Sequence, residues 1–431
     1  MSLFLNGKIL VRQIDFINNK VMNILMINQP LNNRGDESAH KALVRRLAKE
    51  FPKYEINVLF GKSTNIDSIK QFSVEAPNVH YIHCAPSLNK GFTKIGEFGL
   101  KHRMRFLWFL HPGIRKWLQY FQDSDFVICA PGGINMGGFQ SWYHLFNLYC
   151  AKLFNKPIAY YGRSIGPFPT KTQDNRLFKK ISMELLNYFK YISLRDKKSE
   201  QVSNKLGIPY IPVVDTAFLD SPHCEIPLQV AKQIGNNPYF VFVPNSLIWH
   251  FAYKNIATKN DVIQFYTHLL KEVFKKYPDS RTVMLPQLFN GNSYLSNDVL
   301  FMRDIANNFS REQVMVVDDI YSSDIQQSII SKSIFVIGAR YHSIVFAINN
   351  SVPFIALSYE HKMEGLLETL AMKHCMVDIT HLFDNRDVQM QTIEKIMDLL
   401  PIKPYDKQHT ILAKNIAESG FEKLKKCLIQ E

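Results

Sequence analysis

At 431 residues, with 46% hydrophobic and 21% charged residues, the chain is long enough for two globular domains and too apolar for wholesale disorder. Its 51 Lys and Arg against 38 Asp and Glu give a formal net charge of +13, which points to anionic partners such as phosphorylated substrates, an acidic membrane surface or nucleic acid. No run of eighteen apolar residues is present, which argues against a membrane-spanning helix.

The first half alternates strand and helix patterns. An apolar strand at 24–28 leads into a polar loop at 29–36, and a helix over 37–50 carries Ala39, Leu43 and Leu47 on one face. Strands at 56–60 and 79–82 follow. Phe126-Val127-Ile128-Cys129-Ala130 reads as a buried strand ending in Pro131-Gly132-Gly133. A helix at 141–154, a strand at 157–161, a helix at 174–188 and a strand at 191–194 complete the half. Turn-forming residues crowd 220–238, among them Pro222, Pro227, Gly235 and Pro238. The alternation then restarts. Strands at 239–244, 281–286, 313–317, 333–337 and 353–357 interleave with helices at 260–277, 296–308, 322–332, 342–349 and 362–371. An amphipathic basic tail runs over 405–427.

Such alternation implies parallel sheets covered by helices. The expected α/β architecture is two Rossmann-like domains, at 23–222 and 238–404, with parallel sheets facing a central cleft. Ligands should bind at the carboxyl ends of the strands. Residues 1–22 are expected to be a peripheral extension and 405–431 a C-terminal helix. The N-terminus shows no signal-peptide pattern, because Lys8, Arg12 and Asp15 interrupt its apolar pieces. The six cysteines are scattered, with no CxxC pair and no zinc spacing. They predict a reducing, cytoplasmic location and no structural metal.

Candidate chemistry sits where strands end. Asn33-Arg34-Gly35-Asp36 opens a helix, so its amides can bind an oxygen-rich ligand; Asp36 is either a carboxylate base or a helix cap. Gly132 and Gly133 let backbone approach a ligand or make a tight turn, and they lack the spacing of a nucleotide-binding loop. After the strand at 157–161, Arg163 and Ser164 are placed to point into the cleft. Arg195 can grip a carboxylate or phosphate, with Asp215 either orienting it or capping a turn. The strongest segment is Gly338-Ala339-Arg340-Tyr341-His342-Ser343. It sets an Arg fork, an imidazole and a hydroxyl at a strand-to-helix junction, where the helix dipole favours an anion. Glu360 and Lys362 follow the next strand.

Taken in order, these segments resemble the polysaccharide pyruvyltransferase family. The matching pieces are Asn33 to Ala39, Pro131-Gly132-Gly133, Ser164-Ile165-Gly166-Pro167, Leu194-Arg195-Asp196 with Ser199, Asp215 with Ala217-Phe218, Arg340 with His342-Ser343, and Tyr359 with Lys362. Their order and spacing carry the resemblance. The chain departs from it in having Pro131 or Ile134 where the family often has a third glycine, and Arg163 where it often has Gln. The resemblance implies a GT-B-like fold. It also implies transfer of pyruvate from phosphoenolpyruvate to a sugar of a lipid-linked polysaccharide repeat, closing a cyclic ketal, in capsule or exopolysaccharide biosynthesis. Phosphoenolpyruvate is a co-substrate; no cofactor or metal is implied. In that scheme Arg340 and Arg195 bind the donor anion, with Lys362 or Arg163 assisting. His342 is phosphate binder or general acid, Asp36 the base, and His144 a second candidate acid or acceptor contact. Asn33, Gly132, Gly133, Ser164, Ser343 and Glu360 complete the expected binding set.

Two other functions fit the same pattern: a GT-B glycosyltransferase using a nucleotide sugar, and a non-catalytic anion- or glycan-binding protein. Residues 101–121 alternate cations with large apolar side chains. They read either as an anionic-membrane contact at the inner face of the membrane or as two core helices broken at Pro112-Gly113. No nucleic-acid motif accompanies the charge, so no nucleic-acid partner is expected.

Overall fold

The computed structural model describes residues 21–29, 33–61, 66–83, 91–289, 291, 293–294, 296–400 and 404–429. The expected extension at 1–22 therefore lies, except for Val21 and Met22, outside the described residues. Two parallel sheets stand one after the other in the chain. The first contains β1 (Asn23–Ile27), β2 (Glu55–Phe60), β3 (Val79–His83), β4 (Phe126–Cys129), β5 (Gly132–Met136), β6 (Ile158–Ile165), β7 (Tyr191–Leu194) and β8 (Ile211–Pro212). Its order is β3-β2-β1-β4-β6-β7-β8, with β5 paired to β6. The second contains β9 (Tyr239–Val243), β10 (Arg281–Met284), β11 (Val314–Val316), β12 (Val336–Gly338), β13 (Phe354–Ser358) and β14 (Met376–Asp378), in the order β11-β10-β9-β12-β13-β14. That is the doubly wound order of a dinucleotide-binding sheet, with its switch point between β9 and β12. In the first sheet the switch point falls between β1 and β4. Strands such as Phe126–Cys129 and Tyr239–Val243 are apolar and buried throughout, because helices cover both faces.

Local chemistry explains where the structure departs from the expected boundaries. The first helix runs Arg34–Glu50 rather than from residue 37, because the Asn33 side chain accepts from Gly35 N and caps it three residues earlier. The segment after β4 is a fifth strand and not only a turn. β6 continues to Ile165, so Arg163 and Ser164 lie within the strand. It does so by passing through Gly162 at φ +54, where the β6–β7 register shifts. Leu228–Ile234 forms a short helix inside the turn-rich connection.

Residues 101–121 fall on three helices, Phe92–Lys101, Phe106–Leu110 and Pro112–Asp123. Pro112 starts the last of them, where its missing N–H costs nothing. Trp108, Ile114, Trp117, Leu118 and Phe121 face the core, whereas Phe106, Phe109 and Leu110 face solvent. Among the described residues no helix is long and apolar enough to cross a membrane.

Two features tie the halves together. The C-terminal helix Gln408–Ile429 buries Ala413 and Ala417 in the core of the second half and Phe421, Leu424 and Leu428 in that of the first. The helix Arg34–Glu50 sends charges across the seam. Buried Glu37 accepts from Ser323 N and Oγ, each at 3.0 Å, and pairs with Arg34 at 2.9 Å. Lys41 and Arg45 reach Asp324 at 2.5 and 2.6 Å, and Arg45 also reaches Asp220. Phe421→Ala should remove about 3–5 kcal/mol of stability by leaving a cavity at the junction. Denaturant unfolding should show a lower midpoint, and an unchanged midpoint would mean that the helix docks without contributing.

Candidate active site

Four helices begin at strand ends along the seam, two from each half: Arg34–Glu50, Lys197–Leu206, Tyr341–Asn349 and His361–Thr369. They meet in pairs. Gly35 of the first lies against the His342 ring of the third, where a Cβ would sit 1.9 Å from Nδ1, so only glycine fits. Gly365 of the fourth lies against Lys197 of the second. The first-half helices carry side-chain caps: Asn33 accepts from Gly35 N and Asp196 from Ser199 N. The second-half helices start at Arg340 and Glu360 with no side-chain cap. Six other helices, starting at Trp142, Gln173, Lys259, Asp298, Ser323 and Arg386, have Ser, Thr or Asn caps. Two helix N-termini without such caps, on the same side of one sheet, leave N–H donors and positive dipole ends for an anion.

Asp215 is the pivot of this seam. Its Oδ2 receives Arg195 Nη1 at 2.6 Å and lies 3.4 Å from His342 Nε2; Oδ1 accepts from Ala217 N at 3.0 Å. The imidazole contact lacks hydrogen-bond alignment and is electrostatic. Burial pushes the Asp215 carboxyl up, but Arg195 and His342 outweigh it and hold it below the usual range. Both roles considered for Asp215 are thus realised: it orients Arg195 and caps a turn. Arg195 is buried over Tyr341 and feels Asp36 as well as Asp215. Arg340 is held by Asp298, whose other oxygen accepts from Gln287 N and Leu288 N. Burial works against the Arg340 charge, and Asp298 more than restores it.

A cavity of about 550 Å³ opens beside the seam. Asp36, Gly133, His144, Arg163 and Lys362 line it, so five expected residues meet there. Lys362 makes no ion pair among the described residues and is the second half's contribution to the wall. Asn28, Gln29 and Asn147, which the motif reading missed, also line it. Gln29 Oε1 and Asn147 Oδ1 are buried there without a hydrogen-bond partner among the described residues. Their signal was positional: Asn28 and Gln29 follow β1 at the switch point. Asp298 was missed as well, and so was Asn245 after β9, whose Nδ2 donates to Tyr359 Oη at 2.5 Å.

Other expected residues are occupied elsewhere. Ser343 Oγ donates to Arg340 O at 2.5 Å and sits under its own helix. Ser164 Oγ donates to Asp196 Oδ2 at 2.6 Å, fully buried. Asn33 spends its side-chain oxygen on the cap, and Gly132 lies against Arg163 rather than open space. Arg163 reaches the cavity wall but donates to Ala130 O and Asn135 Oδ1, both at 2.5 Å, and to Asn28 O at 3.3 Å. It therefore shapes the wall more than it offers a free cation. Glu360 is half-buried at the head of its helix. His144 is enclosed, 3.9 Å from Cys129 Sγ; burial first, then the Arg163 charge, keep its pKa well below the usual imidazole range. A ring held neutral is a poor proton donor. Among the described residues no group of three or more His, Cys, Asp or Glu side chains is arranged to hold a metal.

Asp215→Asn should lower stability by about 3–5 kcal/mol, because Arg195 would lose its buried counter-charge. A depressed carboxyl stabilises the fold above its unfolded pKa and loses that contribution as pH falls through the native value. The gap between the two proteins should therefore be full above about pH 5 and shrink below about pH 4. Thermal melts across that range test this; a pH-independent gap would argue against the ion pair. Gly35→Ala should likewise lower the melting temperature by displacing His342.

The family model for polysaccharide pyruvyl transferase matches residues 33–361. The chain is 23% identical over 386 residues to the amylovoran biosynthesis protein AmsJ of Erwinia amylovora, covering 84% of this chain and 89% of that one. Among solved structures it resembles UDP-GlcNAc 2-epimerase from Methanocaldococcus jannaschii, with TM-score 0.56, 9% identity and coverage of 94% and 99% of the two chains. The Neisseria meningitidis enzyme bound to UDP-GlcNAc gives 0.54 at 13% identity, with the same coverage. These likenesses concern the fold, and the two facing parallel sheets are the GT-B-like arrangement that was expected.

Proposed function

The chain belongs to the polysaccharide pyruvyl transferase family, and from that premise we propose that it moves the pyruvyl group of phosphoenolpyruvate onto a sugar of a lipid-linked polysaccharide repeat, as a cyclic ketal. The setting is capsule or exopolysaccharide assembly at the cytoplasmic face of a membrane. Family membership and the AmsJ relative already place the chain among transferases of polysaccharide biosynthesis. The observation that carries the finer reading is the pair of helix N-termini without side-chain caps at Arg340 and Glu360, with His342 and Lys362 on their first turns. Phosphoenolpyruvate presents a phosphate and a carboxylate, and two such termini with a lysine suit two anionic groups. The amide-lined cavity suits an acceptor sugar, because Gln29 Oε1 and Asn147 Oδ1 can each accept a hydroxyl proton. Its volume lies in the range that encloses a small ligand.

In the proposed reaction an acid protonates the methylene carbon of phosphoenolpyruvate, which becomes a methyl group. The central carbon takes the first sugar oxygen as a base removes that hydroxyl's proton. The second sugar oxygen then displaces phosphate, which leaves with the C–O electron pair; the second hydroxyl's proton ends on phosphate. His342, in electrostatic contact with Asp215, is the acid at the donor, and Asp36, on the cavity wall and near Arg195, is the base. Arg195 and Arg340 are charge-compensated by Asp215 and Asp298, so they present oriented N–H donors more than net charge. Phosphoenolpyruvate is the co-substrate, and no metal or organic cofactor enters the proposal.

The test is incubation with phosphoenolpyruvate and a lipid-linked oligosaccharide, read by mass spectrometry and phosphate release. Phosphate release with a pyruvate-sized mass gain on the glycan is the expected result. Transfer from a nucleotide sugar, with none from phosphoenolpyruvate, would overturn it. His342→Ala should lower kcat by about 10²–10⁴-fold. Lys362→Ala should raise KM for phosphoenolpyruvate and Asn147→Ala KM for the acceptor, each by about tenfold, a loss of one hydrogen bond.

A further inference from the structure

The helices Phe92–Lys101, Phe106–Leu110 and Pro112–Asp123 pack on the helix Trp142–Leu153. Trp108 stacks edge-on against Phe146 and Tyr149, and Gly96 lies against Phe146. This anchoring leaves a second set of large apolar side chains outside. Phe106, Phe109 and Leu110 occupy positions i, i+3 and i+4 of one helix and so share a face, opposite the buried Trp108. Leu110 is 68% exposed and Phe106 58%, and Phe98 and Met104 are also exposed on the adjoining helix and turn. Evolving such a face on a water-facing helix has a solubility cost, and apolar clusters of this kind mark interaction sites.

The surrounding charge selects the partner. Between Glu97 and Asp123 the sequence has no acidic residue and five cations, Lys101, Arg103, Arg105, Arg115 and Lys116. Lys101 is engaged by Asp174, and Arg105 stacks on Tyr149. Arg103, Arg115 and Lys116 are exposed. Apolar side chains rimmed by uncompensated cations fit the headgroup boundary of an anionic bilayer, where rings and leucine enter the acyl region and cations meet lipid phosphates. We infer that this three-helix unit docks the protein on an anionic membrane surface through Phe106, Phe109 and Leu110, with Arg103, Arg115 and Lys116 at the lipid phosphates. The helix beneath it, Trp142–Leu153, supplies Tyr143, His144 and Asn147 to the cavity wall, so docking here places a membrane next to the acceptor side of the cleft. The inference extends the reading of a lipid-linked acceptor, but its test uses no substrate, so the two can fail separately.

The experiment is co-sedimentation of the full chain with vesicles of phosphatidylcholine alone or with 30% phosphatidylglycerol, a composition chosen to give about the anionic charge of a cytoplasmic leaflet. Binding should be at least about tenfold stronger to the anionic vesicles and weaken with salt. The triple variant Phe106→Ser, Phe109→Ser, Leu110→Ser should lose binding about tenfold or more at an unchanged melting temperature, because its substituted side chains are exposed. Arg115→Glu with Lys116→Glu should lose it without altering the apolar face. Equal binding to both vesicle types, no binding by the wild type, or full binding by both variants would overturn the inference. So would a dimer in sedimentation that the triple variant converts to monomer without any vesicle binding, since the face would then cover a second copy.

Discussion

A carboxylate buried at a domain seam costs several kcal/mol unless charge and hydrogen bonds answer it. Glu37 is such a group, and the answer comes from both halves: Arg34 and Lys41 on its own helix, Ser323 from the other side. Because the partners are split between the halves, the pairing is complete in one relative placement of the two sheets. Lys41 and Arg45 reach the same opposing helix through Asp324 and reinforce that placement. Two residues before Glu37 on the same helix, Gly35 comes into contact with His342. The buried charge thus sets the distance at which first-half and second-half chemistry face one another.

At that distance Asp215 of the first half sits against His342 of the second, and Asp36 lies within electrostatic reach of Arg195. Neither half contains the arrangement alone. The division of labour follows from helix ends. The first half satisfies its own helix N-termini with Asn33 and Asp196, and builds a wall of amides that also carries Asp36 and Arg163. The second half leaves two termini without side-chain caps and adds Lys362. A hydrogen-bonding surface thus stands opposite one of positive helix ends, and the proposed function rests on that contrast.

Local pattern identified strand-end residues well and their side-chain directions poorly. Arg340, His342, Arg195, Asp36 and Lys362 all stand at the seam or the cavity, because strand ends of a doubly wound sheet all lie on one edge. Ser343 and Ser164 stand at the same edge but turn inward, to a helix carbonyl and to Asp196. A small hydroxyl at a helix start has backbone and carboxylate partners within reach, and nothing in its neighbours' identities reveals which it will choose. Arg163 illustrates the converse. Gly162 carries β6 past its expected end, and the guanidinium is then absorbed by the carbonyls of the glycine loop. In residues 101–121 the core-helix reading holds on one face, where Trp108 and Trp117 are buried, while Phe106 and Leu110 stand exposed on the other.

The sequence by itself determined the two alternating α/β halves, the edge on which chemistry would gather and the family to which the chain belongs. Hydrophobic runs and turn residues are local, and the family's segments keep their order along the chain. Only the tertiary structure decided which polar groups remain free for a ligand. That property depends on residues far apart in sequence: Asp298 answers Arg340, Asp215 answers both Arg195 and His342, and the amide oxygens of Gln29 and Asn147 stay unanswered among the described residues. A buried polar group is claimed by whatever acceptor folding brings within 3 Å or so, and that distance is set by the packing of one half on the other.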